Sequence, residues 1–323
     1  MRLLIDTDPG IDDALALLLA LASPDASIEA ITTVAGNVSV EQATTNLVRV
    51  LSVACPGPFP PIGRGAAAPL ARPLITAGDI HGDDGLGNLD RFLGHAGQPR
   101  YPRPSAPLEM RDATELILET SRRFGQELIV VALGPLTNLA LALGRDRQAL
   151  SQVGRVVVMG GAVAVPGNTT AAAEFNFYVD PEAAAAVVDS GLPIELIPLD
   201  VTHQTVVKQT VLADRLARSP SPVAQFVADF TVHGFASESG GLGGLVMHDP
   251  LAMGVALDPS LVGFEPHHVV VECQGQTTRG MSVADRRPAS GRRPLRPNCR
   301  VAMSVDAARF IDTFLDRVCP ASR

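Results

Sequence analysis

Short apolar runs alternate with helical stretches along most of this chain. Leu3 to Ile5 is apolar enough for a buried strand, and Ile11 to about Leu21 predicts an apolar helix. Ile28 to Val34 is apolar and β-branched, a second buried strand. Val40 to Val53 has helical spacing, with Ser39 placed to cap it. Cys55 to Leu70, rich in Pro, Gly and Ala, predicts a loop with a short strand. Gly78 to Asn88 is Gly- and Asp-rich and too polar for a core, which predicts a long surface loop. The alternation then resumes: a helix over Ala113 to Phe124, a strand over Leu128 to Ala132, and a helix after Gly134-Pro135. Next come a strand over Arg155 to Met159, a helix from Pro181 to Val188 and a strand over Ile194 to Leu199. Val211 to Ala217 and Pro222 to Gly234 predict helices, and Gly240 to Gly244 a hinge-like segment. Val269 to Glu272 and Arg300 to Ser304 are late strands, and Asp306 to Val318 is a closing amphipathic helix.

Strands separated by helices mean βαβ units. The expectation is one α/β domain over 1–323, with a mostly parallel central sheet flanked by helices around a Rossmann-like core. A chain of 323 residues with 46% hydrophobic residues has ample material for one sizeable core. No internal repeat or interdomain linker is visible. The one biased segment, Asp285 to Arg300, is Arg- and Pro-rich and predicts a solvated loop between strands.

A net charge of −8 argues against a nucleic-acid backbone as partner. Cys55, Cys273, Cys299 and Cys319 have no CxxC spacing, as expected of reduced structural thiols. The longest apolar stretch, Ala14 to Ala22, is far below the roughly 20 residues that cross a membrane. The N-terminus lacks the long apolar segment of a signal peptide. These features predict a cytoplasmic protein without a membrane partner.

The chemistry concentrates in Asp6-Thr7-Asp8-Pro9-Gly10-Ile11-Asp12-Asp13. Strand alternation predicts Asp6 and Asp8 on one side at the carboxyl end of the first strand. Pro9-Gly10 turns the chain, and Asp12 and Asp13 fall in the first turn of the next helix. One helix N-terminus stabilises a nearby anion by roughly 0.3–1 kcal/mol, too little for four carboxylates. A bound cation is the natural remainder, and oxygen donors without Cys or His favour a hard ion, Ca²⁺ or Mg²⁺. The spacing is not an EF-hand, because twelve-residue counts from Asp6 and Asp8 end on Leu17 and Leu19, not on Glu.

Other polar residues follow predicted strands, where open α/β sheets gather ligands. They are Asn37, His81 in the polar loop, Asn168, Glu174-Phe175-Asn176, and His248-Asp249 ahead of a helix. The Leu133 carbonyl is expected free at the edge of the sheet. If the stretch around Glu174 is extended, Asn176 shares its face.

Asp6-Thr7-Asp8-Pro9-Gly10-Ile11-Asp12-Asp13-Ala14 resembles the N-terminal signature of the inosine-uridine preferring nucleoside hydrolases. The resemblance continues through Ile31-Thr32-Thr33-Val34-Ala35-Gly36-Asn37, Ile80-His81-Gly82 and Gly134-Pro135-Leu136-Thr137-Asn138. It also covers Met159-Gly160-Gly161, Gly167-Asn168, Ala173-Glu174-Phe175-Asn176, Asp180-Pro181-Glu182-Ala183, His248-Asp249-Pro250 and the closing helix. It implies hydrolysis of the N-glycosidic bond of ribonucleosides, with one Ca²⁺ per chain held by Asp8, Asp13, Asp249 and the Leu133 carbonyl. It further implies Asp8 as general base and His248 as general acid toward the departing base. Asp12, Asn37, Asn168, Glu174 and Asn176 would hold the ribose, Phe175 would lie among them, and His81 would face the base. Asp6 would support the ligands from behind, and relatives assemble as homodimers or homotetramers. Two other functions are compatible with parts of the pattern. One is a non-catalytic ribose or nucleoside binder on the same fold. The other is a haloacid-dehalogenase-like phosphatase built on Asp6-Thr7-Asp8, whose phosphate-binding Lys has no counterpart beyond the single Lys208.

Overall fold

Leu3, Leu4 and Ile5 are fully buried, and strand alternation sends Leu3 and Ile5 into one core and Leu4 into the other. They form β1 (Arg2–Thr7), and a strand buried on both faces belongs inside a parallel sheet. The computed structural model describes residues 1–104, 110–237, 242–287 and 295–320. In it β1 pairs in parallel with β2 (Ser27–Thr33) on one side and β5 (Leu128–Ala132) on the other. Beyond β2 lie β3 (Ile62–Arg64) and β4 (Arg111–Asp112). Beyond β5 lie β6 (Arg155–Met159), β7 (Ile194–Ile197), β13 (Cys299–Val305) and, antiparallel at the edge, β10 (Val262–His267).

Helices cover both faces. One face carries α1 (Ile11–Leu21), α2 (Val40–Ala54), α9 (Gln209–Ala217), α10 (Pro222–Ala236), α11 (His248–Leu257) and α12 (Ala307–Val318). The other carries α4 (Ala113–Phe124), α5 (Thr137–Leu150) and α7 (Pro181–Val188). Short helices α3 (Gly78–His81), α6 (Phe175–Val179) and α8 (Leu199–Thr202) line the carboxyl end of the sheet. A ribbon of β8 (Val206–Val207) with β9 (Leu245–Val246) and a hairpin of β11 (Val269–Val271) with β12 (Ser282–Ala284) complete the described elements.

The strand order places the site. From β1 the chain builds outward through β2, β3 and β4, then returns to the other flank with β5, β6 and β7. The carboxyl end of β1 is therefore the topological switch point, where such sheets open a crevice for ligands. The four-Asp stretch begins there.

Three expectations change. Gly78 to Asn88 is not a surface loop throughout: His81, Asp84 and Leu86 are buried. Its polarity is satisfied internally, because the Asp84 carboxylate accepts from the amides of Leu86, Asn88 and Leu89 at 2.8–2.9 Å. The strand expected over Ile194 to Leu199 stops at Ile197, since Pro198 has no amide for the ladder and Leu199 opens α8. The Glu174 stretch is not extended: Glu174 caps α6. Residues 240–241 of the hinge-like segment and 288–294 of the Arg/Pro-rich segment lie outside the described residues.

Candidate active site

Alternation along β1 separates the acids. Asp6 shares its face with Leu4 and meets α5, where one oxygen accepts from Asn138 Nδ2 at 2.7 Å and from Thr32 Oγ1 at 2.6 Å. Its other oxygen is buried without a partner, and burial pushes its pKa up to about 7. Thr7 faces α1 instead, and its hydroxyl donates to Asp13. The strand ends at Thr7, so Asp8 is not a further step of the alternation and sits beside Asp13. Asp6 thus supports β2 and α5 behind the site.

Asp13 is fully buried, yet well compensated. Besides Thr7, it accepts from the Asp8 amide at 3.2 Å, the Gly10 amide at 3.0 Å and Asn37 Nδ2 at 3.0 Å. Gly10 is required here for space, since a Cβ would come within 2.8 Å of both Asn37 Nδ2 and His81 Nδ1. Asp249 arrives in the first turn of α11, which packs along α1 and brings a second helix N-terminus to the cluster. Carboxylate oxygens of Asp12, Asp13 and Asp249 lie within 4.8 Å of one another. Asp8 stands against the same group, its Oδ2 accepting the Asn37 amide at 2.6 Å.

These carboxylates lack neutralising partners. Burial first, then the charge of Asp13, hold Asp8 well above the usual carboxylate range. Burial and then Asp12, Asp13 and Asp8 do the same for Asp249, and burial with Asp13 raises Asp12 to about 7. No Arg or Lys is paired with any of them among the described residues, and Asp8 Oδ1 and Asp12 Oδ1 are buried without hydrogen bonds. Several acids and orphaned oxygens in one pocket fit a cation, and an all-oxygen donor set fits a hard one. The Leu133 carbonyl, expected free, accepts from Asn176 Nδ2 at 2.6 Å and keeps one lone pair for another donor or an ion.

Above the cluster opens a cleft of about 440 Å³. Asp12, Asn37, His81, Leu133, Asn168, Glu174, Phe175, Asn176, His248 and Asp249 all line it. Asp8 and Asp13 lie behind that wall. Glu174 is anchored by three amides, those of Gly161, Asn176 and Phe177, at 2.8–3.1 Å, and burial raises its pKa. Asn168 Oδ1 accepts the Phe175 amide at 3.0 Å, which leaves its amide nitrogen for a ligand.

Two imidazoles face the cleft. His81 Nδ1 accepts the Ile11 amide at 3.1 Å, so the neutral ring carries its proton on Nε2. Burial outweighs the attraction of Asp13 and lowers its pKa to about 4. His248 Nδ1 lies 2.8 Å from Thr202 Oγ1, and burial with the charges of His203 and His81 lowers its pKa to about 3. His203 stands edge-on to His248, ring centroids 5.7 Å apart, and also lines the cleft. Sequence patterns passed over Thr7, Asn138, Thr202 and His203. For the last two a signal existed, because they follow the carboxyl end of a predicted strand.

The family model for the inosine-uridine preferring nucleoside hydrolases matches residues 3–312. Over 321 residues, 98% of both chains, this chain is 38% identical to the pyrimidine-specific ribonucleoside hydrolase RihA of Salmonella gallinarum and equally to that of Salmonella typhi. Among solved structures it is similar to a plant nucleoside hydrolase, PpNRh1, with TM-score 0.89 and 32% identity over 98% of both chains. A purine-preferring ribonucleoside hydrolase from Gardnerella vaginalis matches with TM-score 0.87 and 30% identity, covering 99% of this chain and 98% of that one. The chain belongs to the inosine-uridine preferring nucleoside hydrolase family. It is an N-glycosyl hydrolase of ribonucleosides in a metal-dependent family, and its Asp cluster is suited to hold the metal. Among the described residues, no helix is long and apolar enough to cross a membrane.

Proposed function

We propose that the chain hydrolyses ribonucleosides with Ca²⁺ at the Asp cluster. The observation that carries this reading is the crowded set of carboxylates with no Arg or Lys paired to them, and with orphaned Asp8 and Asp12 oxygens, under a nucleoside-sized cleft. Asp8, Asp13, Asp249 and the Leu133 carbonyl would hold the ion, whose charge lowers the pKa of a bound water near the sugar. Asp8, next to the site of the ion and of the water, takes the proton of the attacking water. Positive charge grows on the ribose ring as the bond to the base stretches. Asp12, Asn37, Asn168, Glu174 and Asn176 orient the ribose hydroxyls, with Phe175 beside them. A deoxyribose would leave these buried polar groups unpaired. His81 and His248 meet the base, and His248 acts as an acid only as negative charge builds on the leaving group.

A pyrimidine base is supported by the RihA relatives, at 38% identity against 30–32% for the solved structures named above. Resemblance supports a cytoplasmic homodimer or homotetramer, which light scattering checks. The test of the reaction is a panel of uridine, cytidine, inosine, adenosine and deoxyuridine with reducing-sugar detection. Ribose release from uridine, little from deoxyuridine, and none in folded Asp8→Ala is the expected result. Undiminished turnover in Asp8→Ala overturns the base assignment.

A further inference from the structure

Asn46 is a fully buried side chain on α2, remote from the cluster in sequence and absent from the cleft wall. Its Nδ2 donates to the Pro9 carbonyl at 2.9 Å and to the Asp84 carbonyl at 2.7 Å. Pro9 lies in the turn between Asp8 and Asp12. Asp84 lies three residues after His81. Both protons of one amide are thus spent joining the acid turn to the His81 segment. Its Oδ1 accepts from Gln42 Nε2 at 2.8 Å, which fixes which end of the amide donates.

The segment it holds is stiff. Asp84 gathers three amides of its own loop and pairs with the buried Arg49 at 3.5 Å. Gly85, at φ +78°, passes so close that a Cβ would lie 2.9 Å from Asn46 Nδ2. His81 is fastened at the other end, by the Ile11 amide. The Asn46 bridge and the Ile11–His81 bond thus tie the His81 segment to the acid turn at two points.

We propose that Asn46 is a positioning residue for the hydrolysis, setting the separation between the acid turn, where the sugar is attacked, and the His81 segment, where the base departs. This rests on the placement of His81 against the base proposed above. Misplacement on the order of 1 Å by a change away from the chemistry costs about 10²-fold in rate. The loss should fall on leaving groups that need help. A nucleobase does, whereas nitrophenolate departs without a proton.

The test compares uridine with para-nitrophenyl riboside on the Ca²⁺-saturated protein. Asn46→Ala should lower kcat/KM for uridine about 10²-fold, through kcat, and for the nitrophenyl riboside by less than about 3-fold. Gln42 is half-buried on the first turn of α2, so Gln42→Ala tests the same bridge if Asn46→Ala does not fold. It should show the same selectivity with a smaller loss. Equal losses on both substrates, or none, overturn the proposal and reduce Asn46 to a structural residue. His81→Ala runs in parallel. Selective loss there beside equal loss in Asn46→Ala removes only the role of Asn46, while no selective loss in His81→Ala removes the base-side placement and this inference with it.

Discussion

Thr202 Oγ1 lies 2.8 Å from His248 Nδ1, and Thr202 is fully buried at the end of α8. One hydrogen bond therefore ties the His248 imidazole to the end of α8. Thr202→Val keeps the shape and removes the hydroxyl. A net hydrogen bond is worth about 0.5–1.5 kcal/mol, so kcat on a ribonucleoside should fall about 2- to 12-fold. Thr202→Ser, which keeps the hydroxyl, should recover most of it. Equal kcat in the Val and Ser variants would show that the bond does not orient the ring.

Glu174, proposed above to hold the ribose, anchors three amides through the same carboxylate. Its oxygens hold the amides of Gly161, Asn176 and Phe177, and two oxygens offer about four acceptor sites. One site is left for a sugar hydroxyl. Glu174→Gln sets an NH₂ against amide donors on one side. The variant should lose about 1–3 kcal/mol in denaturant unfolding and show a raised KM. A raised KM with unchanged stability would mean that the amides are held by other groups.

Much of the framework was legible in the sequence. The bounds of α4, α7, β5 and β6 follow from strong periodicity, Pro181 and the Gly-rich turns. The edge strand β10 (Val262–His267) was not, because Gly, Glu, Pro and His interrupt its apolar pattern and its pairing is with β13, 32 to 43 positions on. The acid stretch was legible from charge crowding alone as a cluster suited to a metal. What it could not give was partition: Asp6 turns to Asn138 and Thr7 to Asp13, a division set by where the strand stops. Asn46 was invisible for the same reason, since a polar residue in a helix does not announce partners 37 and 38 positions away.

Chelation separates the proposed ion from mere acid crowding. An ion that binds only the folded chain adds about 2.7 kcal/mol at a concentration 100-fold above its Kd. Stripping Ca²⁺ should abolish ribose release and lower Tm by several degrees, and added Ca²⁺ should restore both. Asp249→Asn should weaken Ca²⁺ binding in calorimetry and make Tm insensitive to chelator. Full activity in metal-free protein would defeat the assignment.

His81 gives the stability curve an acid limb. Its unperturbed pKa is 6.5, and in the folded chain burial brings it to about 4. The folded state therefore favours the neutral ring, so its contribution is fully present above pH 6.5 and is lost as pH falls from 6.5 toward 4. At about 1.4 kcal/mol per pKa unit, the loss approaches 3 kcal/mol at the bottom of that window. His81→Gln has no proton to take up, and its amide oxygen is an acceptor for the Ile11 amide that Nδ1 serves in the wild type. Thermal unfolding at fixed Ca²⁺ across pH 4–7 should give a steeper acid decline for wild type than for His81→Gln. Parallel curves would show that His81 keeps an ordinary pKa in the folded chain, and with it a charged ring toward the base in mild acid.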